Sequence, residues 1–363
     1  MVEAISARRR SGARGVTPRF EALEPRLLLD GNVTAFVAGG NLFIYGDAGH
    51  NDIIIEQGIT GVGEFSITGR LATGTTVNGT AAGTAVGFPG VTLGIWAWLA
   101  GGNDALKIDD CAVGGTVWVD HGADDSTTDI DPTTIAGNVW IWCGDGLDTF
   151  SLTGGGVTGM LYLYNRAGGS NTTLTDTQVG GPVIITNWDG NNTTTIDPTT
   201  LGSSLWVSNG NGTNTTNLTD SSVAGNVNVT NGVGANTFTL SNFVVSTGGI
   251  GGHLTINNGA GANTTNIYGT GVGGNIRVTN GDGANTFDLD NFLGGAGFGG
   301  SVTVANGLGA NTTGVAFATI PGNVAVTNGH GANTTTLSNA TVTGNVSFTS
   351  GHGANTATID WAT

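Results

Sequence analysis

Charge is scarce in this chain: Asp, Glu, Lys and Arg make up 10% of its 363 residues, against about 25% in ordinary globular domains. Basic residues are scarcer still, ten against 26 acidic ones, for a formal net charge of −16. Phosphate backbones are gripped by clustered Lys and Arg, so this balance argues against nucleic acid as a partner. Cysteine occurs twice, too rarely to build a disulfide framework or to report a redox compartment. No run of about 18 apolar residues is present, so no membrane-spanning helix is encoded. No stretch repeats its apolar residues every 3.6 positions, which leaves no evident helix. Oligomeric state is not legible at this level.

What the chain has instead is 66 glycines, 56 threonines and 36 asparagines. Disorder is disfavoured, because 38% of residues are apolar and they fall at regular intervals. The phrase N-G-x-G-A-N-T recurs at Asn231, Asn258, Asn280, Asn306 and Asn328, with S-G-H-G-A-N-T at Ser350. Degenerate copies start at Leu99, His121, Cys143, Asn165, Asn187 and Asn209. The spacing is 22 residues except for 27 after Asn231 and 26 after Asn280, and a weaker copy starts at Gly46.

With the first residue of each copy as step 0, steps 18 and 20 are apolar throughout, as in Val139/Ile141 and Val183/Ile185. Step 9 is always Ile, Leu or Val, and step 14 usually is. Alternation at steps 5–9 and 18–21 marks two strands with one face inward. Glycine at steps 1, 3 and often 16 marks corners. One such unit cannot bury its apolar face alone, but stacked copies can. The fold expected is therefore all-β: a parallel β-helix (β-solenoid) of about 22 residues per coil and about 13 coils. Three segments follow: residues 1–30, distinct in composition; 31–91, an N-terminal cap with irregular first coils; and 92–363, the regular solenoid. Asn at step 5, from Asn192 to Asn355, should form a ladder of side-chain amides. The pattern resembles right-handed parallel β-helices, although the repeat itself does not fix the hand. Cys111 and Cys143 fall at steps 12 and 0, too far apart for the ~7 Å Cα limit of a bridge, so two free thiols are expected.

The first thirty residues hold six of the ten basic groups: Arg8, Arg9, Arg10, Arg14, Arg19 and Arg26. They lack the apolar h-region of a secretory signal. Phe20–Asp30 reads FEALEPRLLLD, which resembles the LEPR-x-L-L motif at the N-termini of large exported bacterial surface proteins, notably from planctomycetes. There too it commonly follows an Arg-rich stretch. The resemblance covers about a dozen residues and implies an extracellular or cell-surface location.

Four chemistries can be set against this scaffold. GDGLDTF at Gly144–Phe150 fits the core of the calcium-binding nonapeptide of repeats-in-toxin proteins, making Asp145 and Asp148 weak metal candidates. Most copies carry Asn where that motif needs Asp, so no cofactor is expected and calcium is at most an adjunct. Polysaccharide lyases and hydrolases of β-helix shape need a base or converging carboxylates. The only basic residues after position 30 are Arg70, Lys107, Arg166 and Arg277, on distant coils, so a non-enzymatic chain is expected. Threonine fills the outward step 6 in ten of twelve copies, which resembles the arrays of ice-binding solenoids. The second column, step 8, is broken by Lys107, Asp129 and Asp288 among others. The fourth feature is aromatic. Step 19, also outward, reads Trp96, Trp118, Trp140, Tyr162, Ile184 and Trp206 in consecutive coils, and step 21 adds Trp98, Trp142 and Tyr164. Exposed aromatic area usually serves recognition, and a continuous strip from Trp96 to Tyr162 is expected to bind a glycan or another cell-surface component. Two insertions, after Leu240 and Leu289, place Phe243 and Phe292 at the same step as a small apolar plug.

Overall fold

The computed structural model describes residues 31–58, 64–241, 249–292, 297–360 and 362–363. The Arg-rich segment with its LEPRLLL motif, and Phe243, lie outside these residues. The described chain is all-β and forms a solenoid of about 12 turns. Its two long faces are each a 15-stranded sheet in which thirteen successive strands pair in parallel, and a short face adds an 8-stranded sheet and a separate pair.

The repeat maps onto the coil step by step. Steps 18–21 form the first long face, as in Ile95–Trp98, Val117–Asp120 and Val139–Trp142. Steps 5–10 form the second, as in Asp104–Asp109 and Ser126–Asp131. Each strand pairs with its counterpart one repeat away, Val117 with Val139 and Ser126 with Asp148. The apolar steps 18, 20, 9 and 14 point inward and are almost fully buried, for example Val117, Val119, Ile130 and Ile135, except in the last coil, where Val346 and Ile359 are exposed. Each such side chain contributes roughly 1.5–3 kcal/mol. The short face was not foreseen as a strand: Ala112–Val113 and its equivalents are two or three residues long, below what alternation can reveal. Step 11, just before it, bends the chain through positive φ at Asp110, Asp176, Asp220 and Asn339, or carries Pro at 132 and 198.

The segment from Glu56 to Gly90, where the repeat loses register, changes direction. Glu64–Gly69 runs antiparallel to Asp52–Gln57 on one side and to Ala85–Pro89 on the other. On the first long face, Asn32–Ala38 and Asn41–Tyr45 make a hairpin through Gly39 and Gly40, both at positive φ, as a two-residue turn requires. These strands cover the first parallel coil. That coil starts at Gly46, where Asn51 Nδ2 donates to the Asp47 and Gly49 carbonyls in the same pattern that step-5 asparagines use later.

Two amide ladders run through eight coils each, beginning partway along the solenoid. The expected one at step 5 links Asn192, Asn214, Asn236, Asn263, Asn285, Asn311, Asn333 and Asn355 by Nδ2–H···Oδ1 bonds of 2.7–2.9 Å. Each Nδ2 also closes its own corner onto backbone carbonyls, as Asn214 does onto Gly210 and Gly212. A second ladder, at step 0, runs from Asn165 through Asn187, Asn209, Asn231, Asn258, Asn280 and Asn306 to Asn328, at 2.6–2.8 Å. Both ladders are buried except at the last rung, Asn355, so every amide hydrogen spent in them is one not left unsatisfied.

Candidate ligand-binding face

The outward side of the first long face carries the aromatic residues, because alternation that buries steps 18 and 20 turns steps 19 and 21 out. Trp96, Trp98, Trp118, Trp140, Trp142, Tyr162 and Tyr164 are all half-buried, and Trp206 is 40% exposed. Their rings touch in two groups rather than one strip. In the first, Trp98 lies 4.7 Å from Trp118, 6.4 Å from Trp96 and 5.0 Å from Tyr45, with Phe43 and Phe36 continuing the group onto the cap. In the second, Trp140 lies 5.1 Å from Tyr162, and Trp142 lies 5.8 Å from Tyr162 and 5.0 Å from Tyr164. Among the described residues no ring contact joins Trp118 to Trp140, although their backbones are register partners. The strip is interrupted there, at the row where Asp120 stands between Trp98 and Trp142. Trp206 stands apart, with Ile184 between it and Tyr162.

Four members escaped the sequence reading. Phe36, Phe43 and Tyr45 belong to the cap hairpin, where no repeat indexes them. Trp188 sits in a corner and meets Tyr164 edge-on at 6.4 Å; it is 54% exposed.

The metal candidates separate. Asp145 is exposed in its corner, whereas Asp148 occupies step 5 and is 2% exposed. It accepts a 2.7 Å hydrogen bond from Ser126 Oγ, and its Oδ2 is buried without a partner. Burial, opposed by the Ser126 hydrogen bonds, lifts its carboxyl to about 7. Asp104, two coils earlier at the same step, is lifted to about 7 for the same reason. Among the described residues no three His, Cys, Asp or Glu side chains converge as a metal site.

Both thiols are free and buried. Burial pushes Cys111 up to about 12 and Cys143 higher, which leaves them unreactive. On the second long face the Thr columns are interrupted by Lys107, which pairs with Asp109 at 3.2 Å and Asp129 at 3.9 Å. Phe292 is 70% exposed and meets Phe317 edge-on, so it does not plug the core. No helix among the described residues is long and apolar enough to cross a membrane. No protein-family model, curated protein or solved structure matches this chain.

Proposed function

We propose that the chain is an exported, non-enzymatic solenoid that serves as a structural or adhesive module at the cell surface and contacts glycan through its aromatic face. One observation carries this reading. Outward rings crowd the N-terminal coils of the first long face, while the same columns hold Asn, Thr, Arg, Ala and Ser from Asn228 onward. The backbone is the same in both halves, so the rings are not needed to build it. Rigid aromatic area gives contact at little rotamer cost, and sugar C–H faces pack on such rings. The non-enzymatic part rests on the four basic residues after position 30, which stand on separate coils: Arg70 pairs with Asp52 and Lys107 with Asp109, while Arg166 and Arg277 lie several coils apart.

Replacing Trp118 and Trp140 together by Thr tests the face. The C-terminal coils accept Thr at these steps, and losing three ring contacts should cost about 2–4 kcal/mol, so the solenoid should stay folded. Glycan-array and whole-cell binding should disappear; retained binding with an intact fold would place the site elsewhere. Export rests on the N-terminal motif. Deleting residues 1–30 should abolish delivery to the surface of the native cell and leave the solenoid folded, and normal delivery would end that part of the reading.

A further inference from the structure

Twelve consecutive coils present steps 19 and 21 on the first long face, from Trp96 to Thr349, and only two of those positions are charged: Asp120 and Arg277. Arg277 lies among Thr and Asn, whereas Asp120 lies among indoles. Trp98 and Trp142 are its register partners on either side, at a strand spacing of about 4.8 Å. Trp118 precedes it by two residues on the same side of its own strand, roughly 6.6 Å away, and Trp140 is Trp118's partner on the next strand. This is the row at which ring contacts stop. Trp118 packs back on Trp96 and Trp98, and Trp140 and Trp142 pack forward on Tyr162.

Asp120 is half-buried, and one of its oxygens accepts the Gly122 N–H at 2.9 Å. Among the described residues no Lys, Arg or His pairs with it. A carboxylate set in a gap between aromatic groups has lost part of its water and gained no counter-ion. Indole faces carry the negative end of the aromatic quadrupole, so they attract a cation seated against them. Carboxylate and rings thus favour the same occupant.

We infer that Asp120, with Trp98, Trp118, Trp140 and Trp142 around it, binds a protonated primary amine carried by an amino sugar of a polysaccharide. The inference rests on the glycan reading above and adds the charge of the ligand to it. The ammonium group meets the carboxylate, and the C–H face of the same sugar meets an indole. A chain lying along the solenoid axis then places its neighbouring sugars on the two aromatic groups.

The test uses the full-length protein, with tryptophan fluorescence followed during titration at low salt. Three probes are needed: a glucosamine oligomer, the N-acetylglucosamine oligomer of the same length, and tetramethylammonium chloride. The amine oligomer should bind about tenfold more tightly than the acetylated one, a difference of about 1.4 kcal/mol. Asp120→Asn keeps an acceptor for the Gly122 N–H and should reduce that preference to within about twofold, as should ~1 M salt, where charges are screened beyond about 3 Å. Equal binding of both oligomers, unchanged in Asp120→Asn, overturns the inference and leaves the glycan reading standing. Binding of neither oligomer overturns both. Tetramethylammonium that binds as tightly as the amine oligomer overturns the amino sugar in favour of a quaternary ammonium headgroup.

Discussion

Asp104 and Asp148 stand where eight later coils place Asn, and the difference between the two residues is a donor. An Asn at step 5 both accepts from the preceding coil and donates to the next. An ionised Asp can only accept, and Oδ2 of each is buried without a partner. Protonated, each carboxyl gains an O–H on the ladder axis and becomes the chemical analogue of the amide it replaces. Both pKa values sit near 7 in the fold against 3.8 for the free group. The native state therefore holds more protons than the unfolded chain between about pH 3.8 and 7, and stability falls as pH rises through that window. A tenfold difference in proton affinity between folded and unfolded chain is worth about 1.4 kcal/mol, and a domain of this size moves roughly 2–4 °C per kcal/mol. The melting temperature should drop by at least about 5 °C from pH 5 to pH 8. Asp148→Asn should flatten that slope and melt higher than the parent at pH 8; a variant that melts lower would show that the carboxylate is held ionised. The sequence could not reveal this. GDGLDTF reads as a calcium motif; the 22-residue index puts Asp148 in the column that begins as Asp104, Ser126, Asp148, Ser170 and continues as Asn192, but only the fold shows that its carboxyl is buried there.

The coil was legible wherever a residue type recurs at a fixed step. Steps 9, 18 and 20 repeat apolar residues without exception, so both long faces could be read from the chain. Step 5 repeats Asn for eight coils and announced its ladder. The step-0 ladder was missed because its column opens with Leu99, His121 and Cys143, which hide the asparagines that follow. His121 shows what the column does with an ionisable group: burial holds it near 3, neutral, and Nε2 meets Thr128 Oγ1 at 2.7 Å. The cap could be marked off by its lost register, but its strand arrangement was illegible because antiparallel strands break the 22-residue index. At the corners, step 3 is crowded in coil after coil. Gly234 has φ of 144°, and a Cβ there would overlap the Gly212 carbonyl. Gly234→Ala should therefore cost more than the ~1 kcal/mol of an ordinary glycine substitution, measurable as a lowered denaturation midpoint, whereas Gly297→Ala, where a Cβ meets nothing, should leave the midpoint unchanged.

Among the described residues, each parallel coil is joined only to the coil before and the coil after, through the two long-face strand ladders, in most coils a short-face ladder, and from Asn165 onward amide columns at the corners. The covering hairpin and antiparallel strands lie at one end alone, against the Gly46 coil. Pulled from its two ends, such a rod has, among the described residues, no bond that spans more than one interval, so load is not shared among coils. Under force the protein should act less like a cable than like a spool, giving up one loop at a time, each loop lengthening the tether by roughly 70 Å for its 22 residues. An optical trap would record this as a train of nearly equal extensions, with longer steps at the 27-residue interval between Asn236 and Asn263 and the 26-residue interval between Asn285 and Asn311, and the same spool would rewind loop by loop as the force is released.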